Sequence, residues 1–98
     1  MIKAFNDKAS EDIFNGMDTS AARKVCPKEL WHIVRRKLDQ INRVTRIKDL
    51  LIPPGNKLER LKGDRLGQLS IRINDQFRIC FLWEDGNAFS VEITDYHK

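Results

Sequence analysis

Between Gln68 and Thr94 the chain alternates apolar and polar residues in three consecutive runs, and this pattern constrains the fold more than any other. In "QLSIRI", Leu69, Ile71 and Ile73 share one face, while Gln68, Ser70 and Arg72 share the other. After the turn residues "NDQ", the run "FRICFLW" puts Phe77, Ile79, Phe81 and Trp83 on one side. "EDGN" is a strong hairpin turn, and "AFSVEIT" follows with Phe89, Val91 and Ile93 in phase. The prediction is a three-strand antiparallel meander with one apolar face to cover.

Register follows, because a one-residue slip would turn every apolar side chain outward. Keeping the apolar rows together pairs Ile73 with Phe77, Ile71 with Ile79 and Leu69 with Phe81. Across the second turn it pairs Trp83 with Phe89, Phe81 with Val91 and Ile79 with Ile93. On the reverse face Arg72 then lies opposite Arg78, Arg78 opposite Thr94, and Tyr96 two residues further along. Like charges directly opposed destabilise a sheet. A bound phosphate would relieve the conflict, since guanidinium forks match its oxygens. The alternatives are arginines splayed into water, or screening by Glu92.

Helical material to cover the sheet comes earlier. "DKASEDIFNGM" begins with a cap at Asp7 or Ser10 and ends at Gly16. From Cys26, with Pro27 in a first turn, Leu30, Val34, Leu38, Ile41 and Val44 recur at helical spacing. Ile47, Leu50 and Leu51 continue briefly, until "PPGN" stops the helix. "MIKAF" at the start alternates and reads as a strand. Residues 1–98 are expected to form a single domain. No stretch approaches the roughly 20 apolar residues of a membrane span, and "MIKAFNDKAS" lacks an apolar signal core, so a cytoplasmic protein is expected. Cys26 and Cys80 read as free thiols, and neither they nor His32 and His97 have ligand-spaced partners, so no metal or other cofactor is expected.

Charge is unevenly spread. Arg23 to Arg78 holds 15 basic and 6 acidic residues, and the remainder holds 3 and 8. A basic block of this density is either a footprint for a polyanion or a solvated helix face. Two polar clusters flank the face carrying Arg72 and Arg78: "KLERLKGDR", with Lys57, Glu59, Arg60, Lys62 and Arg65, and "DYH", Asp95-Tyr96-His97. Together they hold the group types that RNA scission without metal requires. Glu59 or His97 can be the base for a ribose 2′-OH. Lys62, Arg65 and Arg78 can hold the phosphate, His97 can be the acid, and Tyr96 can stack on a base or relay a proton.

The ordered series "LKGDRLGQLSIRINDQFRICFLW" and "VEITDYH", with "MIKAF" and "PPGN" before it, resembles the HigB branch of the RelE-like bacterial toxins, especially its GraT-type members. The resemblance covers nearly the whole chain. It implies an α+β fold, with two N-terminal helices packed on a twisted, mainly antiparallel four-stranded sheet. It also implies a toxin that cuts mRNA in the A site of the ribosomal 30S subunit. Such toxins are held inactive by a HigA-type helix-turn-helix antitoxin, and operator DNA is reached only through that antitoxin. Carried over by position, Lys62, Arg78, Asp95, Tyr96 and His97 match the motif. Glu59 stands where HigB proteins often have a histidine, so either Glu59 replaces that base or the task falls to His97. Asn74 replaces a basic residue of some relatives. The helix face with Arg35, Arg36 and Arg43 is expected to grip rRNA. A ParE-like toxin of the same fold that blocks gyrase, or a non-catalytic nucleic-acid-binding module, are the competing readings.

Overall fold

The computed structural model describes residues 1–96. Its order is α1 (Lys8–Phe14), α2 (Ser20–Val25), α3 (Trp31–Arg43), then β1 (Glu59–Arg60), β2 (Leu69–Arg72), β3 (Phe77–Glu84) and β4 (Asn87–Asp95), with short 3₁₀ turns between. The strands form one antiparallel sheet in the order β1-β2-β3-β4. The α+β class is as expected from the resemblance. The fourth strand, however, comes from Glu59–Arg60, while the N-terminal segment meets β4 through two parallel bridges, Ile2 to Ala88 and Phe5 to Val91.

The first two helices start at side-chain caps, and α3 has none. The Asp7 carboxylate accepts from Ser10 N at 2.7 Å and caps α1. Thr19 does the same for Ala22 N at 3.1 Å, which opens α2, a short helix with no apolar period to announce it. Pro27 precedes a 3₁₀ turn over Lys28–Leu30, and α3 proper begins at Trp31. Trp31, Val34, Leu38 and Ile41 form its buried stripe, packed with Ile71, Ile79, Phe81 and Val91 of the sheet. Each such side chain contributes about 1.5–3 kcal/mol on burial.

The β2–β3 register agrees with the sequence: Leu69 with Phe81, Ile71 with Ile79, Arg72 with Arg78. The β3–β4 register agrees at Arg78–Thr94 and Ile79–Ile93 and then departs. Trp83 pairs with Ala88 and Leu82 with Phe89, whereas the alternation put Trp83 opposite Phe89. A bulge sets this shift: Ser90 and Val91 together oppose Phe81, with Ser90 at φ 51°. Ala88 therefore takes the core position and Phe89 is half-buried.

Candidate active site on the reverse sheet face

The reverse face of the sheet carries Ser70, Arg72, Arg78, Cys80, Glu92 and Thr94, because Ile71, Ile79 and Ile93 face the helices. Register assembles the centre of this surface. Glu59 pairs with Ser70 and Ser70 with Cys80, so three strands contribute to one transverse row. Arg78, two residues from Cys80 along β3, reaches into it. One guanidinium nitrogen donates to Ser70 Oγ at 2.9 Å and, more distantly, to the Lys57 carbonyl at 3.5 Å. The other donates to Glu59 Oε1 at 2.8 Å. Its Cζ stands 4.9 Å from the centroid of the Tyr96 ring. The Lys57 carbonyl is aimed by a left-handed residue, φ 45°, directly after "PPGN".

Tyr96 is placed by β4. Its N–H donates to the Gln76 carbonyl at 2.6 Å, and Gln76 Nε2 donates to Asp95 Oδ2 at 3.0 Å. The β2–β3 turn that holds Gln76 is itself built on Asn74, whose side-chain oxygen accepts from Gln76 N and Phe77 N, both at 2.8 Å. His97 lies outside the described residues.

A second layer supports the site. Arg65 donates to Glu92 Oε1 and to Gln68 Oε1, both at 2.9 Å. Thr94 Oγ1 donates to the same Glu92 oxygen at 3.3 Å, and Asn6 donates to its other oxygen. Cys80 is fully buried even though it lies on this face, with Arg65, Glu92, Arg78 and Thr94 close enough to act on it. Burial pushes its thiol up.

Several expected site residues stand apart. Lys62 is exposed and precedes the 3₁₀ turn over Gly63–Arg65; Arg60 is exposed on β1. Arg35, Arg36 and Arg43 lie on α3, on the other side of the sheet from Arg78. Arg35 lies against Gly16: a Cβ there would stand 3.2 Å from its Nη2. Arg43 pairs with Asp39 at 3.2 Å. The opposed arginines find carboxylates rather than repelling each other: Arg72 pairs with Asp75 and Arg78 with Glu59, while Glu92 goes to Arg65. An anion between them is therefore not required for the sheet to form. Ser70, Gln76 and Glu92 were not singled out as site residues; the reverse-face alternation was the signal for Ser70 and Glu92, and nothing local marks Gln76.

The arrangement can do three things. It holds a guanidinium rigidly in a row of hydrogen-bond acceptors, sets a carboxylate beside it, and stacks a phenol ring upon it. A cavity of about 500 Å³ at the outer edge of β4, lined by Arg23, Lys24, Cys26, Phe77 and Asp95 among others, includes neither Arg78 nor Tyr96. Among the described residues there is no group of three or more His, Cys, Asp or Glu side chains arranged to hold a metal ion.

Comparison with known proteins gives the chain a family. The model of the RelE-like toxin of the type II toxin–antitoxin system HigB matches residues 3–97. Toxin HigB-1 of Vibrio cholerae is 35% identical over 98 residues, covering 100% of this chain and 99% of that protein. Endoribonuclease HigB of Proteus vulgaris is 33% identical over 97 residues, covering 99% and 100%. Among solved structures, the YoeB–YefM complex from Staphylococcus aureus aligns with a TM-score of 0.61 at 18% identity, over 100% of this chain and 99% of the other. That likeness concerns the fold.

Proposed function

This chain belongs to the HigB-like family of RelE-like toxins of type II toxin–antitoxin systems, and from that premise we propose that it is a ribosome-dependent mRNA endoribonuclease. It acts in the cytoplasm, cuts in the 30S A site without a metal, and is neutralised by a HigA-like helix-turn-helix antitoxin. A relative named as an endoribonuclease supports the reaction class. Fold neighbours solved as toxin–antitoxin complexes support an antitoxin partner.

The observation that carries the site assignment is Arg78, bracketed by Glu59 at 2.8 Å and the Tyr96 ring at 4.9 Å. In the proposed reaction the ribose 2′-oxygen bonds to the adjacent phosphorus as its proton passes to a base. The bond from phosphorus to the 5′-oxygen breaks, and that oxygen takes a proton from an acid. Arg78 offsets the charge that develops on the phosphorane oxygens, and Lys62, exposed and apart from Arg78 before substrate arrives, joins it on the bound phosphate. Arg65, committed to Glu92, braces the site instead. Glu59 is the base, since it already stands beside the phosphate-binding cation. Tyr96 stacks on a nucleotide base, and His97 supplies the leaving-group proton, with an imidazole pKa near 6.5 suiting it to that task.

Primer extension on an mRNA in a reconstituted translation reaction, with and without ribosomes and with EDTA, tests this. The expected result is cleavage within translated codons that needs ribosomes, survives EDTA, and disappears in Arg78→Ala while the circular dichroism spectrum is unchanged. Equal cutting by Arg78→Ala, or no cutting on ribosomes by the parent protein, would reject it.

A further inference from the structure

Lys37 is a nearly buried cation with no ion-pair partner among the described residues. It lies on α3 at 9% exposure, and its ammonium donates to Asn56 Oδ1 at 2.6 Å. Asn56 cannot turn away: its Nδ2 donates to the Leu50 carbonyl and to Gln40 Oε1, both at 3.1 Å, and to the Ile52 carbonyl at 3.4 Å. The Asn56 oxygen is thereby fixed toward Lys37. An ammonium has three protons, and this bond uses one. No carboxylate among the described residues forms an ion pair with Lys37, and the charges that act on it are those of Arg36 and Arg72. Burial, with the Arg36 and Arg72 charges, holds the Lys37 pKa below the usual lysine value.

A charge in this position normally has a counter-charge. The chain supplies more cations instead. A cavity of about 320 Å³ opens beside Lys37, lined also by Arg36, Gln40, Arg43, Pro53 and Asn56. A concave wall of one sign focuses the field and concentrates counter-ions. Arg36 is exposed and makes no ion pair among the described residues, so it is available at the rim. Arg72 brings positive charge from the end of β2, the strand beside the one that carries Arg78. Positive charge therefore continues from the cavity toward the hairpin of the candidate active site.

We propose that this cavity is an anion site that takes a phosphodiester group of structured RNA, with the Lys37 ammonium as its floor and Arg36 and Arg43 as its rim. The choice of RNA over another phosphate-bearing ligand rests on the ribosome-directed function proposed above. The cavity itself does not. The site lies on the helical side of the molecule, so the protein grips RNA there while the opposite sheet face works on the cleaved strand. Phosphate contacts of this kind set position without reading sequence.

Two probes, inorganic phosphate and a stable RNA duplex, test the proposal. In an NMR titration of the ¹⁵N-labelled full chain with inorganic phosphate at constant ionic strength, the Asn56 side-chain amide and Lys37 ammonium signals are expected to shift saturably. Arg78→Ala should leave that response intact. The pair Arg36→Gln and Arg43→Gln, which keeps the Lys37–Asn56 bond, should weaken it about tenfold. Lys37→Met should abolish it; if that variant does not fold, the rim pair still decides. The duplex should displace phosphate, and the rim pair should lower the salt dependence of duplex binding by about two in log–log slope. A linear response, an equal response to chloride, or phosphate that RNA does not displace overturns the proposal. Loss of cleavage in Arg78→Ala without saturable phosphate binding would reject this cavity alone. Saturable binding with cleavage intact in Arg78→Ala would reject the active-site assignment alone.

Discussion

Glu59 occupies the Arg78 guanidinium, the group proposed above to hold the substrate phosphate. It is half-exposed while Arg78 is largely covered, so the carboxylate, not the arginine, is the partner that can move. In the proposed mechanism, a phosphate entering at Arg78 would displace Glu59 and leave it next to the incoming ribose. Glu59→Gln separates the two roles: with the competing charge gone, KM for the programmed ribosome should fall. With the base gone, kcat should fall by about 10²-fold or more. An unchanged kcat would transfer the base to His97. Ser70 is fully buried and accepts one of the Arg78 hydrogen bonds. Ser70→Ala should cost about 1–2 kcal/mol in a urea titration and lower kcat, since it releases the arginine without removing it.

At the scale of elements, α1 and α2 are joined by one polar knot. Thr19 caps α2 and its hydroxyl donates to Asp12 Oδ2 at 2.8 Å. The Thr19 hydroxyl, and then the Lys8 ammonium 3.0 Å from Oδ1, hold the Asp12 carboxyl below the usual carboxylate range. A lowered folded pKa adds stability that is present above the unfolded value near 4 and is lost as pH falls through the folded value. Thr19→Ala should cost about 1–2 kcal/mol at neutral pH, and its acid unfolding midpoint should move upward. The β4 bulge makes a test of opposite character. By strand propensity Ser90→Val would stabilise. With φ at 51° it should instead destabilise by about 1–2 kcal/mol, because a β-branched side chain fits that region poorly. A stabilised valine variant would mean the bulge is absent.

Across the whole molecule, one core between the helices and the sheet holds the fold together. Both thiols are buried, and burial raises Cys26 to about 11. Neither should react with a thiol reagent at pH 7.5 except when the protein opens. Phe81, fully buried at the centre of β3, sets that opening. Phe81→Ala should cost about 3–5 kcal/mol and speed labelling of both cysteines by roughly 10²–10⁴-fold. Labelling of Cys80 at an unchanged rate would show that it is reached by a local opening that leaves the core intact.

Local pattern alone determined the meander, the α3 stripe and the approach of Tyr96 to Arg78. Each follows from side chains at fixed short spacing, and burial enforces a register that keeps apolar rows in phase. The family resemblance, too, was carried by contiguous residues of β2, β3 and β4. Tertiary structure decided the rest. The bulge at Ser90 is an extra residue in one strand, visible only against its partner. The pairing of Glu59 with Arg78 depends on a two-residue strand docking at the sheet edge. The placement of Arg35, Arg36 and Arg43 away from the reverse face depends on which side of the sheet α3 covers. Lys37 looks like one more surface cation in its run of arginines, and only the folding of "PPGN" over α3 buries it. Charges and strand edges obey no short repeat, so their partners are chosen by packing between distant segments.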